Sequence, residues 1–476
     1  MSSKFSPTLS IGDLNDYLAP SQACVVYPKG VKSKLAPPTE AKQERTSEKK
    51  QEKITPPVKP LDKTEVVKIS LKDCLACSGC VTSAETVLLE KQNVDDFLSN
   101  IALGKAVIMS ISSQSRASLA VHFGLSPSQV LRKLTTFFKS LGVKAVFDTS
   151  CSGDLSLVES CEEFLDRFSD HRSLPMIASS CPGWVIYAEK TLGSYILPYI
   201  SSVKSPQQAI GAAIKHHVCR KMGFLPDQVY HVTVMPCYDK KLEAARDDFV
   251  FSVDSQEETG NKAVIAEVDT VLTSGEVMDL IQLKSVDLKA LDESPLDRLL
   301  TNVDEEGHLY GVSGSSGGYA DTIFRHAAKI LFGRQIEGPL DFKVKRNPDF
   351  QEVILEVEGK VVLKFALCYG FKNLKNVERN VKSGKCDYHF LEIMACPSGC
   401  LNGGGQIKLK EGQSHKDLMQ SLQTTHMEDV LVADPFENPI VKSLYDEWLE
   451  QPGSEKAKKH LHTEYHHLEK SVNLTF

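Results

Sequence analysis

Two cysteines four positions apart, Cys396 and Cys400, follow an apolar segment with the character of a β-strand, residues 388–394. Proline and glycine lie between the cysteines, and the glycine run 403–405 follows them. The spacing predicts that both thiols lie on one face of a first helical turn, where the helix N-terminus favours the thiolate that a metal requires. The glycines predict a close approach of the backbone to a bulky bound group.

Two more cysteines have similar surroundings. Cys181 follows a predicted strand at 175–178, and Cys237 follows another at 229–234. Because ligands of open α/β sheets gather at the carboxyl ends of strands, we expect these cysteines to meet the first pair. Four thiolates suit either a 4Fe–4S cluster or a structural zinc ion. The wide separation along the chain and the adjacent glycines favour the cluster, which needs more room.

A separate group of cysteines lies near the N-terminus. Cys74, Cys77 and Cys80 form a C-x2-C-x2-C pattern, which is the compact turn of a ferredoxin cluster site. Such a turn needs a fourth ligand from elsewhere, and Cys24 is the remaining cysteine of the N-terminal region. A zinc site, or Cys24 as an incidental thiol, are the alternatives.

The remaining cysteines and a group of C-terminal histidines lack a ligand-like context. We expect the cysteines to be small buried side chains, and the histidines to lie on an exposed helix. The cysteines are Cys151, Cys161, Cys219, Cys368 and Cys386. The histidines are His460, His462, His466 and His467.

From about residue 100 the chain alternates strand and helix, which is typical of an α/β protein. Strands are predicted at 105–110 and 144–147, and a capping box and a terminal glycine bound an amphipathic helix over 126–142. Strands near Met176 and Val232, with helices between them, are predicted to complete a parallel α/β lobe.

A second α/β lobe is predicted from about residue 250. A glycine-rich turn, 314–318, precedes a helix over 323–331 and is predicted either to cradle an anion or to make a tight helix entry. Strands follow at 353–355 and 361–363.

The predicted domain organisation has six parts. They are an N-terminal segment with Cys24 (1–27), a charged, proline-rich linker expected to be disordered (28–65), a ferredoxin-like segment (66–95), a first α/β lobe (96–248), a second α/β lobe (249–438), and a C-terminal helix and tail (439–476).

Composition narrows the function classes. A net charge of -7 does not favour binding to nucleic acid or to an anionic membrane, both of which are negatively charged. No apolar run reaches the length of a membrane span, and no signal peptide is visible. Thirteen cysteines in such a chain indicate metal or redox chemistry rather than disulfides, so we expect a cytosolic location, with the nucleus as an alternative.

The three cysteine segments of the core resemble the three signature motifs of iron-only hydrogenases. Residues 146–149, 201–208 and 235–243 also resemble that catalytic domain, and the likeness covers about residues 100 to 450. The resemblance implies a two-lobed iron-only-hydrogenase-like α/β domain with parallel sheets flanked by helices. It implies that Cys181, Cys237, Cys396 and Cys400 bind a cubane cluster, with Cys400 as the bridge to a diiron centre. Lys240 and Met394 match residues that flank that centre.

The chain departs from the hydrogenases where protons would move. Ser180 stands where the family has the cysteine that shuttles the proton, and a hydroxyl is a much weaker acid than a thiol. Ser160 stands where the family places the first glutamate of the relay, whereas Glu163 and Ser201 persist. An exposed helix face is the other interpretation of the glutamates near position 160. These departures predict that the protein is not a hydrogenase.

The departures are similar to those of the iron-only hydrogenase-like proteins of cytosolic iron–sulfur protein assembly. That resemblance implies two 4Fe–4S clusters and a role linking early scaffold NTPases to a late targeting complex with WD40 and HEAT-repeat subunits. The chain ends Leu474-Thr475-Phe476, which resembles the terminal tripeptide that docks to that complex, except that Thr475 replaces the usual acidic residue or serine. A hydrogenase or an iron–sulfur electron carrier are the alternative functions.

Overall fold

A computed structural model describes residues 88–254, 262–409, 412–428 and 430–468. The predicted N-terminal segment and linker lie outside this part of the chain, as do Cys24, Cys74, Cys77, Cys80 and the C-terminal tripeptide. None of the helices in the described ranges is long and apolar enough to span a bilayer.

The described chain alternates strands and helices. The strands are β1 (Ala106–Ile111), β2 (Ala145–Asp148), β3 (Met176–Ala178), β4 (Val229–Met235), β5 (Val250–Asp254), β6 (Lys262–Ala266), β7 (Thr270–Thr273), β8 (Leu309–Gly311), β9 (Lys343–Asn347), β10 (Phe350–Val357), β11 (Lys360–Tyr369), β12 (Phe390–Met394) and β13 (Val430–Val432). The α-helices are α1 (Val94–Ala102), α2 (Ser113–Phe123), α3 (Pro127–Leu141), α4 (Ser150–Ser169), α5 (Pro182–Tyr187), α6 (Pro206–Ala213), α7 (Cys219–Lys221), α8 (Asp239–Ala244), α9 (Ser274–Leu283), α10 (Tyr319–Phe332), α11 (Phe371–Lys382), α12 (His415–His426), α13 (Pro439–Leu444) and α14 (Glu455–Leu461).

Two larger sheets organise the fold. The first has the order β2-β1-β4-β7 with all strands parallel. The second has the order β3-β12-β11-β10-β9. In it, β3, β12 and β11 are parallel, whereas β10 is antiparallel to both β11 and β9. Helices cover both sheets, which explains why β1 and β12 are buried along their whole length. The predicted α/β class with parallel sheets and flanking helices is confirmed.

Local signals predicted the helix α3 well. The Ser126 side chain accepts from the Gln129 N–H while the Gln129 side chain accepts from the Ser126 N–H, and Gly142 ends the helix with a φ of 108°. The buried face of α3 packs against the first sheet through Leu134, Phe138 and their neighbours.

The strand near Met176 is predicted in the first α/β lobe, 96–248, but it does not join the sheet formed by β1, β2 and β4. β3 pairs with β12 in the second sheet, where Met176 lies opposite Phe390. Conversely, β7, which follows residue 248, pairs with β4 in the first sheet. Strand type follows from local sequence, but the partner of a strand depends on packing between distant segments.

Helix α4 joins the two sheets. Leu155 and Val158 belong to a core formed with the first sheet. Leu157 and Phe164, on another side of the same helix, belong to a core formed with the second sheet. The cleft between the sheets is therefore bounded by one long, rigid helix.

Candidate metal centre

The four core cysteines follow strands of both sheets. Cys181 comes shortly after β3 and Cys396 shortly after β12, which are neighbours in the second sheet, whereas Cys237 follows β4 of the first sheet. Cys400 lies in the 3₁₀ turn Gly399–Asn402 that follows Cys396. The carboxyl ends of the parallel strands thus bring the cysteines to the cleft between the sheets.

The electrostatics of the thiols show that they lie close together. Burial raises the pKa of Cys237 well above its usual value, and the nearby Asp239, Cys181 and Cys396 add to the effect. Burial and Cys181 likewise raise the pKa of Cys400 to about 12. Cys181 is buried and the other three are partly buried. Thiols that raise one another's pKa in this way become thiolates together only if a cation compensates their charge. The donor set therefore suits a bound metal centre.

The spacing of the thiols distinguishes between metals. A tetrahedral zinc ion with sulfur ligands would hold the sulfur atoms about 3.8 Å apart. Among the described residues, the three ligand atoms found within 4.8 Å of one another belong to Asp304, Glu306 and His308, and none of the cysteines forms such a group. In the described part of the chain, the cysteines are therefore not arranged as the ligands of a single tetrahedral ion.

The segment between Cys396 and Cys400 differs from the expected helical turn. The Gly399 N–H donates to the Cys396 carbonyl at 3.2 Å, and both Ser398 and Gly399 have positive φ, 58° and 75°. The prediction that both cysteines lie on one face of a first α-helical turn is therefore wrong. A tight turn, fixed by a 2.7 Å hydrogen bond from the Ser398 N–H to Asp349, positions Cys400 instead.

The glycine run after Cys400 approaches protein backbone closely. A Cβ on Gly403 would lie 2.3 Å from the Pro236 carbonyl oxygen, and the Gly405 N–H donates to that oxygen at 2.9 Å. These contacts tie the turn that carries Cys237 to the turn that carries Cys400. The glycines thus hold two ligand segments together.

A cavity of about 100 Å³ lies beside Cys400. Ser180, Lys240 and Asp154 are among its lining residues. Lys240 Nζ donates to Glu243 at 2.8 Å and to Ser205 at 3.1 Å. Met394 resembles a residue that flanks the diiron centre of hydrogenases. Its sulfur lies 3.7 Å from Cys400 Sγ. The structure therefore brings Ser180, Lys240 and Met394 to the surroundings of the predicted ligands.

The glutamates of α4 are not an exposed helix face. Glu159 is fully buried. Glu163 accepts from the Ser202 N–H at 3.0 Å and is paired with Arg167 at 2.7 Å. Burial alone would raise the pKa of Glu163, but Arg167 and the Ser201 hydroxyl lower it. Glu163 is therefore held as a charged, structural side chain.

By resemblance, Ser160 stands where a hydrogenase has the first glutamate of its proton relay. Its hydroxyl is not available to pass on a proton. The Ser160 hydroxyl donates to the Ser156 carbonyl of its own helix at 2.7 Å. The hydroxyl is thus occupied within α4, as is common for serine inside a helix.

The other cysteines lie much as predicted. Cys151, Cys161, Cys219 and Cys368 are buried, whereas Cys386 is only partly buried.

The prediction that the histidines lie on an exposed helix is wrong. Helix α14 ends at Leu461, so His462, His466 and His467 lie beyond it, and His460 on the helix is only partly exposed. The His462 ring contacts buried Glu159 at 3.0 Å.

Sequence reasoning missed the role of Asp154. Its side chain accepts from Asn302 at 2.8 Å and from Asn438 at 2.7 Å. Burial raises the pKa of Asp154 to about 7, although the two amide donors lower it. A short polar residue at the start of a helix that follows a buried strand was the signal available in the sequence.

We expect Asp154→Asn to stabilise the protein at neutral and alkaline pH. The folded state holds the proton of Asp154 up to about pH 7, whereas the unfolded chain releases it near pH 4. The stability of the native protein therefore falls between those values, and the asparagine variant escapes that loss. Thermal unfolding measured from about pH 5 to pH 8 should show a gap that widens up to pH 7 and then stays constant. Exposed Asp166→Asn is the control, and a gap that does not change with pH would contradict the prediction.

Comparisons with known proteins agree with this architecture. A family model for the iron only hydrogenase large subunit, C-terminal domain, matches residues 105–404, and one for the iron hydrogenase small subunit matches residues 419–468. The structure is similar to that of apo FeFe-hydrogenase HydA1 from Chlamydomonas reinhardtii, with a TM-score of 0.65, 28% identity and coverage of 79% of this chain and 98% of that chain. The chain belongs to the iron-only hydrogenase family.

Relatives that match the chain over its full length indicate a narrower group within this family. The chain is 63% identical to Protein NAR1 of Arabidopsis thaliana, covering 99% of this chain and 98% of the relative. It is 47% identical to cytosolic Fe-S cluster assembly factor narfl of Xenopus tropicalis and 44% identical to cytosolic iron-sulfur assembly component 3 of Mus musculus, with the same coverage. Within the family, the chain thus groups with proteins named for iron–sulfur assembly.

Proposed function

We propose that this protein is a component of the cytosolic iron–sulfur protein assembly machinery and that it turns over no hydrogen. The observation that carries the proposal is a cleft with four cysteines beside a cavity lined by Ser180. By resemblance, Ser180 stands where a hydrogenase has its proton-carrying cysteine. The names of the full-length relatives support the assembly role and a cytosolic location. The nucleus is a second location that the proposal allows.

The core cluster is a 4Fe–4S cluster held by Cys181, Cys237, Cys396 and Cys400. Their position after strands that meet at the cleft, and the effect of each thiol on the pKa of its neighbours, support this ligand set. When bound, the cluster supplies positive iron centres that stabilise the four thiolates and a site that accepts or releases one electron. Lys240 adds a positive charge near the ligands, because its charge opposes the rise in the pKa of Cys237 and Cys400.

A second 4Fe–4S cluster is held by Cys74, Cys77 and Cys80 with Cys24 as the fourth ligand. The C-x2-C-x2-C spacing supports a cluster, and the two-cluster content rests on the family resemblance. These residues lie outside the described part of the chain.

The partners are early scaffold NTPases and a late targeting complex with WD40 and HEAT-repeat subunits. A net charge of -7 supports protein partners over nucleic acid or an anionic membrane.

Hydrogen turnover requires a path that carries protons to a buried metal. In this protein the proposed path is interrupted at Ser180 and Ser160. The Ser180 hydroxyl is several powers of ten less acidic than a thiol. The Ser160 hydroxyl is bonded within its own helix. A general acid must lie within hydrogen-bond reach of the reacting atom and have a pKa near the working pH, and neither serine meets the second requirement.

Anaerobic purification of the full-length protein tests the proposal. We expect about eight irons and eight sulfides per chain, a 4Fe–4S signal in electron paramagnetic resonance after reduction, and no hydrogen evolution with a reduced dye. Infrared bands from carbonyl and cyanide ligands, together with hydrogen evolution, would show a hydrogenase instead. Zinc in place of iron would overturn the cluster assignment.

A further inference from the structure

The turn between Cys396 and Cys400 contains a backbone conformation that favours glycine, but a serine occupies it. Ser398 has a φ of 58° and a ψ of 11°, which lie in the left-handed region. A residue with a Cβ is strained there, because the Cβ approaches the following carbonyl oxygen. The conformation of Ser398 also sets the direction in which the chain continues to Cys400. Ser398 therefore keeps this conformation only where tertiary contacts hold it.

A carboxylate from another part of the second sheet supplies such a contact. The Ser398 N–H donates to Asp349 Oδ1 at 2.7 Å, although the two residues are 49 positions apart in the chain. A hydrogen bond to a charged carboxylate is roughly twice as strong as one between neutral groups. Asp349 therefore stabilises the strained residue that lies between the two proposed ligands of this turn.

Asp349 is itself held firmly by the hairpin of β9 and β10, whose turn it occupies. Its N–H donates to the Asn347 side chain at 3.0 Å, and its carbonyl oxygen accepts from the Tyr369 N–H at 2.9 Å. The side-chain amides of Asn347 and Asn373 exchange two hydrogen bonds of 3.0 Å. Asn373 is buried and also donates to the Tyr369 carbonyl at 2.9 Å. The hairpin turn is thus fixed to the end of β11 and to the start of α11, so a rigid support presents Asp349 to Ser398.

A different element holds Cys400 itself. The Cys400 N–H donates to Ser316 Oγ at 3.0 Å. Ser316 belongs to the glycine-rich turn before α10, which makes a tight helix entry, since a Cβ on Gly318 would lie 2.4 Å from the Ser313 carbonyl oxygen. This contact fixes the backbone at Cys400, but the left-handed residue before it depends on the hairpin.

We propose that Asp349 is a positioning residue for the core cluster. By keeping Ser398 in the left-handed conformation, Asp349 keeps Cys400 in place as a ligand, and the strength of this contact sets how firmly the cluster is retained. The inference rests on the proposed function, because it requires the core cluster. It assigns a role in cluster retention to the β9–β10 hairpin, which contains no cysteine.

Release of iron to a chelator under anaerobic conditions tests the proposal. In the full-length protein, a Cys77→Ala background removes the proposed N-terminal cluster, so that the released iron comes from the core cluster. Bathophenanthroline disulfonate is added in excess, and its iron complex is followed by absorbance. We expect Asp349→Ala to release iron about tenfold faster than the background protein, because loss of a charge-assisted hydrogen bond raises the population of the open turn by about that factor.

Two rescue variants separate positioning from a general loss of stability. Asp349→Asn keeps an oxygen that accepts from the Ser398 N–H, so we expect its release rate to stay within about twofold of the background rate. Ser398→Gly removes the strain of the left-handed conformation, so adding it to Asp349→Ala should restore most of the retention. An unchanged rate in Asp349→Ala, or fast release in both rescue variants, would overturn the inference.

The matched control is Asp297→Ala in the same background. Asp297 is partly buried, as Asp349 is, and accepts from the Val146 N–H at 2.9 Å on β2, the outer strand of the first sheet. The variant therefore loses a comparable contact between a carboxylate and a distant backbone N–H. We expect iron release at the background rate. Equal acceleration in Asp297→Ala and Asp349→Ala would show a general effect on stability and would also overturn the inference.

A second readout does not require a cluster. In the cluster-free full-length protein, hydrogen–deuterium exchange followed by mass spectrometry reports on the peptide that contains Ser398. We expect faster exchange of this peptide in Asp349→Ala, because the Ser398 N–H loses its acceptor. Unchanged exchange would contradict the role of Asp349 even if the variant assembles no cluster. Absence of iron from the unmodified protein would instead overturn the proposed function.

Discussion

Replacing Cys237 with alanine should remove about half of the iron from the full-length protein. Of the four proposed ligands, Cys237 is the one that follows a strand of the first sheet, whereas the other three follow strands of the second. Without it, the cleft offers three thiolates on one side and an open position towards β4. The remaining thiolates repel one another and hold a cluster poorly, so we expect near-complete loss of the core cluster on purification.

Iron and sulfide counts of Cys237→Ala, beside those of the unmodified protein, measure this effect. Cys219→Ala is the matched control, because Cys219 is a buried cysteine whose thiol donates to the Lys215 carbonyl at 3.2 Å. We expect full iron content in that variant. Equal iron in the two variants would show that Cys237 is not a ligand.

Glu159→Ala should produce the largest loss of stability among the residues outside the cleft. The carboxylate is fully buried and accepts from the Tyr445 hydroxyl, from the Gly453 N–H at 3.2 Å and from His462 at 3.0 Å. Burial and this carboxylate together raise the pKa of Tyr445 far above its usual value, so the phenol stays a donor. Alanine leaves the buried Tyr445 hydroxyl and two partly buried donors without their acceptor, which costs about 3 kcal/mol of the free energy of unfolding.

The loss should be concentrated in the C-terminal segment, because all three partners of Glu159 belong to residues 445–462. Limited proteolysis should therefore cleave this segment faster in Glu159→Ala, and thermal unfolding should begin at a lower temperature. Glu162→Ala is the control on the same helix, and burial together with the charge of Glu159 raises the pKa of Glu162. Removing Glu162 should cost little, and similar losses in both variants would contradict the account.

Much of the candidate site could be predicted from local sequence. Cysteines placed directly after apolar, strand-like segments predicted that Cys181, Cys237, Cys396 and Cys400 lie at one edge of an α/β fold. That inference needs only two things. The apolar segments must form parallel strands, and each cysteine must follow the carboxyl end of its strand. It holds regardless of which sheet each strand joins, because the cleft lies at the carboxyl ends of both.

The conformation of the turn at Cys400 could not be predicted in the same way. Helical spacing suggested one face for Cys396 and Cys400, yet contacts with Asp349 and Ser316, far away in sequence, fix a different turn. The glycines suggested room for a bound group, whereas Gly403 makes room for the backbone at Pro236. Local propensity is a weak guide where distant segments supply the hydrogen bonds.

By itself, the sequence determined the α/β class, the helix boundaries with strong caps and the residues able to bind a metal. These properties depend on the chemistry of neighbouring residues and on the repeat of each secondary structure. Only the tertiary structure decided that β3 pairs with β12, that Glu159 is buried against the C-terminal segment and that Ser316 reaches Cys400. Each of these depends on which distant surfaces become buried together, because burial sets the partner of a strand and the cost of an unpaired polar group.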